Sequence, residues 1–181
     1  MAPPSGPDSR SAFFYGTLMA PQVLSRVCHG QKSNTNNNNP TFRTHPAILH
    51  NYRRHRVRHA DYPGILPCAH ASVRGTYVTN LTDADIWRLD IFEGDQYARE
   101  VVRVRLLLAD DAGSAEGEEV VCETYVWIAG AAELEDGEWD FEQFRREKMR
   151  FWVGAEGEGE YAGRPSIIGW LVLRVGGCAM C

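Results

Sequence analysis

The chain has 181 residues, 44% hydrophobic and 24% charged, with a formal net charge of −5. That size and composition suit one globular domain whose core needs no staples, and no apolar stretch reaches the roughly 18 residues of a membrane helix. The five cysteines (28, 68, 122, 178 and 181) are scattered without a CxxC pair, which argues against a disulfide framework or a zinc site and for a reducing compartment.

From the N-terminus, residues 1–10 are rich in Pro, Ser and Gly and read as disordered. MAPPSGPDSRS lacks the charged-then-apolar order of a secretory signal, so the expected location is the cytoplasm. SAFFYG reads as a strand closed by Gly16, and 18–28 as a short helix with Pro21 in its first turn. QKSNTNNNNP (31–40) is a polar loop with nothing to pack. An extended segment follows at 45–59, then DYPGILP with the punctuation of a loop, then the alternating strand VRGTYVTN (73–80).

Next comes the clearest helix signal. Thr82 is a good N-cap, with Asp85 three residues on as an imperfect capping box, and Leu81 can staple onto Ile86. The helix runs from 83 to about 92 and ends at Gly94. YAREVVRVRLLLAD (97–110) is a half-buried strand, with Val102, Val104 and Leu106 on one face and Val101, Arg103 and Arg105 on the other. DAGSAEGEE reads as an acidic hairpin loop and VVCETYVWIAG as another strand. Asp140 caps a helix running to about Trp152, with Phe141, Phe144, Met149 and Trp152 near one face. After GAEGEGEYAGR, the apolar run in SIIGWLVLRV suits a strand. The terminal CAMC has the form of a prenylation box, but no polybasic stretch or second acyl site precedes it, so the tail reads as unmodified. The organisation is a disordered 1–10, a domain over 11–153, and an acidic Gly-rich linker with an apolar extension over 154–181. Single helices between strands indicate a mixed α+β domain.

Charge is segregated. All six histidines fall between 29 and 70, and Arg53, Arg54, Arg56 and Arg58 cluster in HNYRRHRVRH. Such a cluster resembles a nucleic-acid patch. The chain is acidic overall, however, and arginines alternating along a strand commonly line its wet face, so nucleic acid is not an expected partner.

Glu93 stands out. At about 100° per residue, Ile86 lies at about 0°, Leu89 at about 300° and Glu93 at about 340°, with Asp90 beside them at about 40°. Glu93 points where the apolar residues point, and burial raises a carboxyl pKa toward neutrality, which suits a general acid and base. Two alternatives stay open: Glu93 in a fraying last turn can rotate to solvent, or pair with Arg99. Asp90 reads as a solvated or salt-bridged flank residue. In YGTL (15–18), a strand entering a Gly turn and a helix start leaves N–H groups that can face an anion; an ordinary turn is the other reading.

FFYGTLM (13–19), HADYPGILP (59–67), VRGTYV (73–78), LDIFEGDQYAREVVRV (89–104) and TYVWI (124–128) occur in an order that resembles the gamma-glutamylcyclotransferase-like family. The likeness is greatest to its avirulence-induced, gamma-glutamylamine cyclotransferase-like branch and spans about residues 12 to 153. It implies a small mixed β-barrel flanked by helices, no cofactor and no metal, and a pocket between YGTL and the FEG glutamate. It further implies an acyl transfer without a Ser or Cys nucleophile: the α-amine of a γ-glutamyl group attacks its own side-chain carbonyl, releasing 5-oxoproline and a free amine. Glu93 would be the catalytic acid/base. Gly16, Thr17 and Leu18 would offer N–H groups, Tyr15 would line the pocket, and Tyr97 and Arg99 would orient Glu93 or the substrate. The alternative is a protein of the same fold that binds a small ligand or partner without this reaction.

Overall fold

A computed structural model of the chain describes residues 9–30, 42–110 and 113–153. The expected Asn-rich loop, the first eight residues and the C-terminal extension with its strand and cysteines lie outside those residues.

The frame is a ring of strands. β1 (Arg10–Phe14) pairs antiparallel with β3 (Pro63–Leu81) and parallel with β5 (Gly113–Trp127). β5 pairs with β4 (Tyr97–Asp110), β4 with β2 (Arg43–Val57), and β2 returns to β3 along almost its whole length. These pairings close the ring, with the short β6 (Leu134–Glu135) added on the outer side of β2. The expected small mixed barrel is the observed architecture. Alternation divides the side chains between two cores. Phe13, Ile65, Val73, Val104 and Cys122 fill the barrel, while their neighbours Ala12, Phe14 and Val78 face outward under the helices.

The helices cover that outer layer. A 3-10 turn (Thr17–Met19) leads into α1 (Pro21–His29), which has Pro21 in its first turn and buries Val23, Leu24 and Val27. α2 (Asp83–Glu93) begins with a complete capping box. Thr82 Oγ1 accepts from Asp85 N at 3.1 Å, and Asp85 Oδ2 accepts from Thr82 N at 2.9 Å. The staple partners Leu81 and Ile86 are both buried. Phe92, one residue before the end of α2, meets the ring of Trp152 edge-on at 6.2 Å.

Four expectations need correction. DYPGILP is mostly strand, since β3 starts at Pro63. Proline needs no ladder donor as the first residue of a strand, and Pro67 stands opposite Tyr52 beside a bulge where Asn51 has φ 62°. DAGSAEGEE is also mostly strand, because its acids find partners on β4 and on β2 beyond it. Glu119 lies 3.3 Å from Arg103, and Glu116 lies 2.9 Å from His50. The single helix after Asp140 is two, α3 (Phe141–Glu147) and α4 (Met149–Val153), broken at Lys148 so that Trp152 also seats edge-on at 5.6 Å from Phe144. Finally, Arg10, assigned to the disordered start, opens β1.

β1 can lie against β3 only because position 75 lacks a side chain. A Cβ there would stand 2.3 Å from the carbonyl oxygen of Phe14 and 2.6 Å from the Phe13 ring. Gly75→Ala is expected to destabilise the fold by about 1–3 kcal/mol through this overpacking, read as a lowered urea midpoint.

Candidate functional site

Glu93 is the last residue of α2. The chain turns at Gly94, whose φ of 69° is left-handed and favours glycine, and Gly94 N donates to Asp90 O. Ile86 and Leu89 are buried, and Glu93, on their stripe, is half-buried. It opens onto a cavity walled by the YGTL turn (residues 15–18), by Tyr62 and Pro63, and by Tyr97 and Tyr125. The cavity is narrow, with about 20 Å³ of water-accessible space, close to what one water needs.

Hydrogen bonds hold these walls together. The Tyr15 hydroxyl donates to Tyr125 O at 2.6 Å, and the Tyr97 hydroxyl donates to Pro63 O at 2.8 Å. The Tyr97 ring also stands edge-on to Trp127, 5.1 Å between centroids. Behind the YGTL turn, Arg54 Nη1 donates to Tyr15 O at 3.0 Å while Nη2 donates to Glu138 at 2.9 Å. Gly16 touches the YP turn so closely that a Cβ would lie 2.9 Å from Pro63 Cγ and Cδ. The 3-10 turn starts directly after Gly16, so its leading N–H groups have no acceptor within the turn.

Of the residues nominated from sequence, the structure brings Tyr15, Gly16, Thr17, Leu18, Glu93 and Tyr97 to this one cavity. Arg99 stands a layer further out. Its Nε donates to Asp90 at 2.9 Å and its Nη1 is paired with Glu123. Asp90 is therefore salt-bridged, and it also accepts the Tyr125 hydroxyl at 2.8 Å. Burial first, then the Asp90 hydrogen bond and the negative charges of Asp90 and Glu93, push the Tyr125 phenol well above its usual pKa, with Arg99 opposing. The phenol stays protonated and donates. Sequence reasoning missed Tyr62, Pro63 and Tyr125 as lining residues. The available signal was the alternation in TYVWI, which sets Tyr125 and Trp127 on one face and Val126 on the other.

A larger cleft, about 300 Å³, lies between the end of β2 and α3, near Arg56, Asp61, Trp139 and Lys148. It carries none of the residues nominated from sequence as catalytic or substrate-binding. Arg56 donates to Gln143 at 2.6 Å, and Lys148 pairs with Asp61 at 3.3 Å. Chemistry rather than volume selects the smaller cavity. Among the described residues, no group of three or more His, Cys, Asp or Glu is placed to hold a metal ion, and no helix is long and apolar enough to cross a membrane.

The family described as gamma-glutamyl cyclotransferase, AIG2-like, matches residues 12–141, from β1 to the start of α3. The chain belongs to that family. Protein AIG2 C of Arabidopsis thaliana is 33% identical over 141 residues, covering 78% of this chain and 75% of that protein. AIG2-like protein D of the same plant is 32% identical, covering 77% of this chain and 81% of that one. The solution structure of an Arabidopsis thaliana protein superposes with a TM-score of 0.56 at 27% identity, covering 97% of this chain and 90% of that chain. A structure titled gamma-glutamyl cyclotransferase shares the fold, with a TM-score of 0.51 at 13% identity over 92% of this chain and 99% of that chain.

Two outcomes are expected of the turn and of the buried thiols. Gly16→Ala is expected to force the YGTL and YP turns apart at a cost of about 1–2 kcal/mol. Urea unfolding would show the loss, and amide shifts would change chiefly around residues 14–18 and 62–64. Cys28 and Cys122 are buried, and their thiols are raised to about 12, by burial and then by Asp85 and Glu123 respectively. In native protein near pH 8, a thiol reagent followed by peptide mapping should label the partly exposed Cys68 and leave those two unmodified.

Proposed function

We propose that this protein is a γ-glutamyl cyclotransferase acting on a γ-glutamyl amine or amide, with Glu93 as its general acid and base. One observation carries the reading: among the described residues, Glu93 is the only carboxylate lining a cavity that the YGTL turn also lines. Family membership and the shared fold support it.

In this chemistry Glu93 takes a proton from the substrate's α-ammonium group. The freed nitrogen attacks the γ-carbonyl carbon and closes a five-membered ring. As the tetrahedral intermediate collapses, the bond from that carbon to the leaving nitrogen breaks, Glu93 returns its proton to the departing amine, and the ring nitrogen's second proton passes to that amine, which leaves as an ammonium. The products are 5-oxoproline and an amine, and no water is consumed. Such proton shuttling contributes about 10²–10⁴-fold. The N–H groups of Gly16, Thr17 and Leu18 serve the substrate carboxylate or the developing oxyanion. Tyr15, Tyr62, Tyr97 and Tyr125 enclose the reacting atoms.

The test is incubation of purified protein with a panel of simple γ-glutamyl amides and γ-glutamyl amino acids, with 5-oxoproline as readout. The wild type should release it, and Glu93→Gln should lower the rate by at least about 100-fold with an unchanged melting temperature. Normal turnover by the variant would remove Glu93 from the mechanism. Saturable binding without turnover by the wild type would make the chain a binding protein of this fold.

A further inference from the structure

Glu93 is the last residue of its helix, yet its proposed role depends on a fixed direction. Ion pairs tie α2 to the barrel at both of its ends. In its first turn, Asp83 accepts from Arg10 of β1 at 2.7 Å. Arg10 also reaches Glu123 of β5 at 2.8 Å, and Glu123 is paired with Arg99 of β4. Arg99 returns to α2 at Asp90, 2.9 Å away, in the helix's last turn. The circuit therefore leaves α2, crosses three strands and comes back to it one turn before Glu93. Asp90 Oδ1 receives a second donor, the Tyr125 hydroxyl at 2.8 Å, and Tyr125 lines the cavity with Glu93. The other end of Tyr125 is held by Tyr15, whose hydroxyl donates to the Tyr125 carbonyl. Trp152 presses on the helix at Phe92, the neighbouring position.

We propose that Asp90 is a positioning residue that fixes the roll of the last turn of α2 and the Tyr125 wall together, so that Glu93 faces the cavity. The proposal rests on the reading of Glu93 as acid/base and adds a residue to it. Asp90 touches no substrate; it acts through Tyr125 and through the peptide turn that carries Glu93. A carboxylate here does what a neutral side chain of other shape cannot, because it accepts from a guanidinium and a phenol at once. Asparagine keeps one such acceptor oxygen, whereas alanine keeps none.

The experiment compares Asp90→Ala, Asp90→Asn and Tyr125→Phe with wild type in two measurements. The first is steady-state turnover of whichever panel compound the wild type converts. The second needs no substrate: the ring-flip rate of Tyr125, by NMR on protein with 13C-labelled tyrosine rings, its signals assigned by their loss in Tyr125→Phe. Asp90→Ala should lower kcat by about 10–100-fold, the scale expected for a misplaced group, with KM within about threefold, and should speed the ring flip several-fold. Asp90→Asn should recover most of both, and Tyr125→Phe should lower kcat in the same direction. Glu119→Gln, which removes an exposed ion pair with Arg103 on the same two strands, should match wild type in both measurements. The proposal is overturned by an unchanged flip rate in Asp90→Ala, by unchanged kcat beside a competent wild type, or by Asp90→Asn being as impaired as Asp90→Ala. If Asp90→Ala does not fold, Tyr125→Phe decides through kcat, an unchanged value overturning the proposal, and Asp90→Asn must keep most of the wild-type kcat and flip rate. A wild type that converts nothing, with the flip rate responding as expected, overturns the cyclotransferase reading and Asp90's part in it while leaving the Tyr125 tether in place.

Discussion

Everything at this site hangs on the five-residue strand β1, which meets β5 in the barrel's one parallel pairing. Its register contact is Ala12 opposite Glu123. Thr124 reinforces it from a fully buried position by donating to Phe13 O at 2.8 Å. A buried hydroxyl without a partner is costly, so this bond favours one register over its neighbours. From that register the chain leaves β1 straight into the YGTL turn, and the Tyr15 hydroxyl lands on the Tyr125 carbonyl. Had β1 slipped by one residue, its two faces would exchange: Phe13 would leave the barrel, Phe14 would enter it, and the turn would no longer face α2.

The arginine-rich segment of β2 takes its meaning from the same frame. Arg53 donates to Asp136 O, Arg56 to Gln143 and Arg58 to Ala132 O, while Arg54 bridges Tyr15 O and Glu138. Between Ala131 and α3 the chain forms only a 3-10 turn and the two-residue β6, and its remaining carbonyls require donors. Guanidinium groups, with several N–H groups in a fixed fork, supply them. The cluster is therefore a row of clamps that fastens the chain's return path over the barrel. Arg54 extends the clamping to the back of the YGTL turn.

Some of this was legible in the sequence, and the reason is range. α2 was visible because everything that makes it is local: Thr82 with Asp85, Leu81 with Ile86, and Gly94 beyond the end. The same periodicity placed Glu93 in line with Ile86 and Leu89, and the structure keeps it there. The strand faces of β4 were legible for a like reason, with Val102 and Val104 buried and Val101 exposed. What could not be read were contacts made by ring closure. Asp90 and Tyr125 are 35 residues apart, and Arg54 and Tyr15 are 39 apart; no periodic pattern links such pairs. The helical wheel put Asp90 correctly at the edge of the stripe but was silent about what stood across from it. Where punctuation misled, at DYPGILP and DAGSAEGEE, partner strands had overridden local preference.

In the proposed reaction the substrate attacks itself, which leaves the protein little to supply beyond one proton carrier and a shape. That division accounts for where polar effort is spent around the cavity. The buried phenol and the guanidinium groups bind protein rather than solvent: Tyr125 to Asp90, Tyr97 to Pro63, Arg54 to Tyr15. Each such bond contributes only about 1 kcal/mol to stability, so as stabilisers they are replaceable. As direction-setters they are harder to replace, because a displacement of about 1 Å at a reacting centre can cost about 100-fold in rate. The ion pairs around α2 follow the same logic. Asp83 and Asp90 are well exposed, at 76% and 40% of their side-chain area, where a salt bridge adds little stability. Their proposed use lies in geometry: two tethers at opposite ends of an eleven-residue helix restrain its rotation about its own axis, a motion that would carry Glu93 away from the cavity.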